Sequence, residues 1–119
     1  MLKKNVSDCL KNIHDRFNPR VLETVNDSQL MLVKVEGDAI PWHFHAFDEA
    51  FWVLNGSITV FTRDETVTLN TGEFLKIPAG IEHRIESLQV TELLLIEASE
   101  FEHTGNVKSA ITKSQFAKV

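Results

Sequence analysis

Apolar positions divide the chain into one helical stripe followed by a long series of short, strand-like runs. Val6, Cys9, Leu10, Ile13 and Phe17 recur at spacings of three and four, which predicts a helix over about residues 5–17. Asn5, with Asp8 three residues on, is suited to cap its start, and Pro19 ends it. From Arg20 onward the expected strands are Val21–Val25, Leu30–Glu36, Ile40–His45, Glu49–Leu54, Ser57–Arg63, Thr66–Leu69, Glu73–Ile77, His83–Ser87 and Gln89–Glu97. Asn55-Gly56 reads as a two-residue hairpin, and Arg63-Asp64-Glu65 and Asn70-Thr71-Gly72 as further tight turns. This pattern is all-β, a barrel or a sandwich. One domain is expected over residues 1–119, with the barrel at about 20–100 and a polar extension at about 101–119.

Two stretches lack a polar face. Ala50, Trp52 and Leu54 alternate with Phe51 and Val53, yet both sets are apolar, and Leu93-Leu94-Leu95-Ile96 is apolar throughout. Such strands must be covered on both sides, here by the N-terminal helix or by a second subunit. A homodimer with Trp52 at or near a buried outer surface is therefore expected.

Composition narrows the class. A chain of 119 residues, 43% apolar and 24% charged, is an ordinary globular domain with enough length for one core. The net charge of −5, without any Lys/Arg-rich block, argues against a nucleic-acid partner. No apolar run approaches the ~18 residues of a membrane span, and Met1–Val6 makes a poor signal peptide. Cys9 is the single cysteine, so no internal disulfide can form, which suits a reducing cytoplasm. Its expected role is packing within the helix.

The chemistry sits in two segments. In the first, Gly37 is followed after five residues by His43-Phe44-His45, then by Glu49 and Gly56. In the second, Gly72 is followed after five residues by Pro78-Ala79-Gly80 and then by His83. His43 and His45, two apart on an extended segment, point to one face, and Glu49 has the same parity. Pro78 and Gly80 make the reversal that sets where His83 points. Three imidazoles and a carboxylate suit Mn²⁺, Fe²⁺, Co²⁺, Ni²⁺, Cu²⁺ or Zn²⁺ and suit Ca²⁺ poorly. Spacing leaves open a closed tetrahedral zinc site or an octahedral ion with two open positions.

These two segments resemble the paired motifs of the cupin superfamily, the first in full and the second up to its last position. There the family generally has asparagine, and this chain has Ser87. The resemblance implies a small antiparallel β-barrel of the double-stranded β-helix, or jelly-roll, type. It implies one divalent metal bound by His43, His45, Glu49 and His83. The 15 residues between Gly56 and Gly72 are similar to those of compact single-barrel members, and dimers formed by sheet-to-sheet packing are common in the family.

The function expected is a metal-dependent enzyme acting on a small polar metabolite in the barrel, of oxygenase or isomerase type. Its alternatives are a barrel that binds and senses a sugar or metabolite, and a barrel whose metal is structural. Glu49 is the one candidate for a catalytic role, as ligand or transient base; no second acid–base pair stands out, and tyrosine is absent. Lys76 and Arg84 lie near the motifs in sequence only. His14 is expected in solvent, His103 in the tail away from the site, and Asp48 in a surface or turn role.

Overall fold

The computed structural model describes residues 1–99 and 116–119. One helix, α1 (Val6–Lys11), precedes seven strands: β1 (Arg20–Val25), β2 (Ser28–Gly37), β3 (Glu49–Asn55), β4 (Ser57–Thr62), β5 (Thr66–Asn70), β6 (Phe74–Ile77) and β7 (His83–Ala98). All named strand pairs are antiparallel. One sheet runs β1-β2-β7-β3-β6, and β5, β4 and the start of β7 form a second. This is the expected all-β jelly roll. The extension expected beyond residue 100, with His103, lies largely outside the described residues. Its end, at Val119, returns to pair with Val21.

β7 holds the two sheets together. Its first residues pair with β4 (Val60↔Ile85, Thr62↔His83), and its later ones lie between β2 and β3. Two strands were expected here, His83–Ser87 and Gln89–Glu97, but the chain is continuous through exposed Leu88. Ser87 and Thr91 hold the crossing: their hydroxyls lie 2.9 Å apart, and both donate to the Ser57 carbonyl. A strand that passes from one sheet to the next makes such a corner.

Asn55-Gly56 is not a hairpin, because β3 and β4 do not pair. Gly56, at φ +111°, carries the chain from one sheet to the other, and a Cβ there would stand 2.5 Å from Thr91 Oγ1. The two-residue signal marked the break between two strands correctly, but the chain does not reverse there: β3 and β4 both run antiparallel to β7, one after the other along it. The turn at Arg63-Asp64-Glu65 does link paired strands, β4 and β5.

The helix is also shorter than the stripe predicts. Asn5 caps it as expected, accepting from the Asp8 amide, but it ends at Asn12. Val6, Cys9, Leu10 and Ile13 pack on Leu22, Leu32, Leu54 and Leu94 of the outer sheet face. Phe17 belongs to another cluster: at φ +55° it turns into the barrel beside Val33, Val35 and Phe51. The i, i+4 spacing continued past the helix because two cores were supplied in succession. Inside the barrel, Met31, Val53, Ile58, Val60 and Leu93 are almost wholly buried, each contributing roughly 1.5–3 kcal/mol of apolar transfer.

The helix covers only part of the outer face. Phe74, Trp52, Leu94 and Leu32 form one row across β6, β3, β7 and β2. Leu94 and Leu32 are buried under α1, whereas Trp52 and Phe74 are 45% and 55% exposed. Trp52 is therefore not buried within one chain.

Candidate metal centre

The segment carrying the first two histidines is not the expected strand Ile40–His45. Pro41 lacks an amide hydrogen, and among the described residues the segment's only ladder contact is a bridge between His43 and His83. That bridge matters more than a strand would. The His43 amide donates to the His83 carbonyl at 3.0 Å and the His83 amide to the His43 carbonyl at 2.8 Å. The Gly80 amide donates to the His45 carbonyl at 2.9 Å, so the two motifs are fastened backbone to backbone. Side chains still alternate, with His43 and His45 buried and Phe44 exposed.

Asp48 completes the fastening. It is exposed, as expected for a turn residue, and its Oδ1 accepts from the Ala79 amide at 2.9 Å. Lys76 stands 3.7 Å from Asp48 in the same exposed region. Arg84 lies over the Phe61 ring at 4.0 Å, away from the histidines. His14 is exposed.

Glu49 begins β3, and His83 begins β7. Candidate ligand atoms of His43, His45, Glu49 and His83 all lie within 4.8 Å of one another, and all four residues are buried. The three imidazole ring centroids are 4.4–5.8 Å apart. Glu49 Oε2 is 3.1 Å from His45 Nε2, and Oε1 is 3.0 Å from His83 Nε2. Nδ1 of His43 lies 2.8 Å from the Pro41 carbonyl, and Nδ1 of His83 lies 2.8 Å from the Ile81 carbonyl. A carbonyl can only accept, so each Nδ1 carries its hydrogen and Nε2 is left for a cation. This is the usual way a protein orients histidine ligands. The donor set and its convergence fit one transition-metal ion.

The electrostatics agree with such a set. Burial pushes His43 down to about 4, so its ring is neutral near pH 7. Burial also opposes charge on His83, but the hydrogen bond to Glu49 and the Glu49 charge prevail and raise it. Burial would raise Glu49, but hydrogen bonds with Glu97, His45 and His83 hold it well below the usual carboxylate range.

Glu97 was missed in the sequence. It ends the inward-facing set Leu93, Leu95, Glu97 on β7 and is 4% exposed. Burial, then the negative charge of Glu49, drive its carboxyl well above the usual range, so it keeps its proton. The available signal was parity: an acid at an inward position of an otherwise apolar strand. Glu97, Glu49 and His43 border a cavity of about 40 Å³ whose other walls are apolar, Phe17, Val33, Phe51 and Leu95 among them.

Residues 29–97 match the family model for the cupin domain. The chain belongs to the cupin family. It is similar to a cupin-2 domain containing protein from Shewanella frigidimarina, with 38% identity, TM-score 0.77, and coverage of 80% of this chain and 93% of that one. Quercetin 2,3-dioxygenase of Bacillus subtilis is 38% identical over 61 residues, 48% of this cupin but only 18% of that enzyme. This chain therefore spans less than a fifth of that relative's length. Hydroquinone 1,2-dioxygenase from Sphingomonas sp. TTNP3, in complex with 4-nitrophenol, gives TM-score 0.72 at 25% identity, covering 82% of this cupin and 32% of that chain. No helix among the described residues is long and apolar enough to cross a membrane.

Proposed function

We propose that this cupin is a metal-dependent enzyme that acts on a small molecule held in the barrel, with oxygenase-type chemistry favoured. The observation that carries this reading is the buried convergence of His43, His45, Glu49 and His83 at the wall of a cavity that His43 and Glu49 also line. When bound, a divalent ion supplies Lewis-acid polarisation and, where redox-active, a means of engaging dioxygen. The residues do the rest. His43, His45 and His83 present nitrogen donors from a rigid frame, and the apolar walls hold the body of the molecule. Glu49 borders both the donor cluster and the cavity and supplies the cluster's one carboxylate, kept ionised by His45 and His83.

The relatives support the oxygenase direction, since the two named dioxygenases act on quercetin and hydroquinone, both aromatic hydroxyl compounds. The apolar lining moves the expected substrate from a wholly polar metabolite to one with an apolar body. Oxygen uptake should be followed across a panel of phenols with protein reloaded with Fe²⁺, Mn²⁺, Co²⁺, Ni²⁺ or Cu²⁺. The proposal expects turnover with one metal, lost in His45→Ala. A panel without turnover, in which one compound raises the melting temperature, would instead make the barrel a sensor.

We also propose a homodimer that covers Trp52 and Phe74, paired neighbours across β3 and β6 that α1 leaves exposed. Cytoplasmic placement rests on the lone Cys9, which packs with the helix cluster.

A further inference from the structure

The cavity beside the donor cluster has an uneven wall. On β2, β7 and β3 the inward residues form successive rows, with Met31, Leu95 and Phe51 side by side. The next row towards the metal end holds Gln29, Glu97 and, one step beyond the Ala50↔Ile96 pair, Glu49. Gln29 Nε2 is directed to the Ser99 carbonyl, at 3.4 Å. Glu49 is engaged by His45 and His83. Glu97 is different: neither of its buried oxygens meets a nitrogen or hydroxyl donor among the described residues, and its one polar contact is the Glu49 carboxyl. It faces the cavity among Phe17, Val33, Phe51, Leu93 and Leu95.

A buried acceptor without a donor costs free energy that a bound molecule can recover. We infer that Glu97 is the specificity-determining residue of this cavity, receiving a hydroxyl hydrogen from a small ligand whose remaining surface is hydrocarbon. The assignment rests on the reading of the neighbouring cluster as a metal centre facing the same cavity. The space, about 40 Å³ and partly open, holds only a few waters inside, so the occupant is small, a single ring at most, with part of it at the opening. A molecule of the same shape without the hydroxyl leaves the cavity-facing acceptor of Glu97 without a donor and is rejected, as sites built around a hydrogen bond reject analogues that lack it.

Phenol and toluene are nearly isosteric and differ in that one group. Their binding to the purified, metal-loaded protein and to chelator-treated protein can be measured by titration with NMR detection. Wild type should bind phenol at least about tenfold more tightly than toluene. Glu97→Leu should abolish that preference with its metal content unchanged. Glu97→Gln, whose amide oxygen still accepts, should retain most of it and guards against misfolding of the leucine variant. Equal binding of the two probes, no binding of either, or a preference that survives in Glu97→Leu overturns the assignment. So does loss of metal from a folded Glu97→Gln protein, which would place Glu97 in the ion's own support. If the protein takes up no metal yet the phenol preference persists and follows Glu97, the metal reading fails while this one stands.

Discussion

Glu97 and Glu49 are cross-strand neighbours, placed one residue beyond the Ala50↔Ile96 pair of β7 and β3, and both carboxyls are buried. Two acids in contact away from water cannot both ionise cheaply. Glu49 takes the charge, because it has two imidazoles beside it, and Glu97 keeps the proton.

That division has a measurable sign. Folding raises Glu97 above its ordinary value of 4.5, so above that pH the unfolded chain releases the proton first and the folded state loses ground. Glu97→Gln should therefore become more stable than wild type as pH rises from about 4.5, by up to about 1.4 kcal/mol per pH unit, until Glu97 itself ionises. Urea unfolding of chelator-treated proteins across pH 4–8 checks this. A stability gap that does not change with pH would contradict it.

His43 gives a different profile. Its folded value is about 4 against an ordinary 6.5, so as pH falls through 6.5 the unfolded chain takes up the proton first. Metal-free protein should lose on the order of 3 kcal/mol between pH 6.5 and 4 from this group. His83 is raised and acts oppositely: its contribution is complete below 6.5 and disappears as pH rises through its folded value. His43→Gln should flatten the acid limb relative to wild type in the same urea series; an unchanged acid limb would refute the assignment.

Gly56 offers a structural test. Alanine there faces Thr91 Oγ1 at 2.5 Å and a φ of +111°, whereas Gly37 and Gly72 share the left-handed conformation but open onto empty space. Gly56→Ala should cost about 2 kcal/mol or more, and Gly37→Ala about 1 kcal/mol. Equal costs would mean that the Thr91 contact does not constrain the corner.

Trp52 and Phe74 carry the oligomer prediction. Light scattering coupled to size exclusion at micromolar concentration should give about twice the 13.5 kDa chain mass. Trp52→Glu should reduce that to one chain without unfolding it, since the side chain is half exposed in the single chain. A wild-type monomer would reject the dimer.

The strands were legible because their inward positions are apolar and their turns are chemically marked. The donor cluster was legible because His43, His45 and Glu49 share parity and Pro78 to Gly80 marks the reversal before His83. Pairing was not legible: Asn55-Gly56 joins strands in different sheets, and nothing local to it says so. The end of α1 was hidden because Ile13 and Phe17 keep helical spacing while packing into separate clusters. Glu97 was hidden because its partner Glu49 lies 48 residues away in sequence and meets it only through strand register. Ser87, where the family has asparagine, is a corner residue, bonded to Ser57 and Thr91 rather than to the cluster.

Metal content tests the central claim most directly. Protein purified without added chelator or metal should carry close to one equivalent of a transition-metal ion per chain by elemental analysis, with less than a tenth of that in folded His83→Ala. A wild-type chain that is metal-free as isolated, and takes up none when titrated with Mn²⁺, Fe²⁺, Co²⁺, Ni²⁺, Cu²⁺ or Zn²⁺, would contradict it.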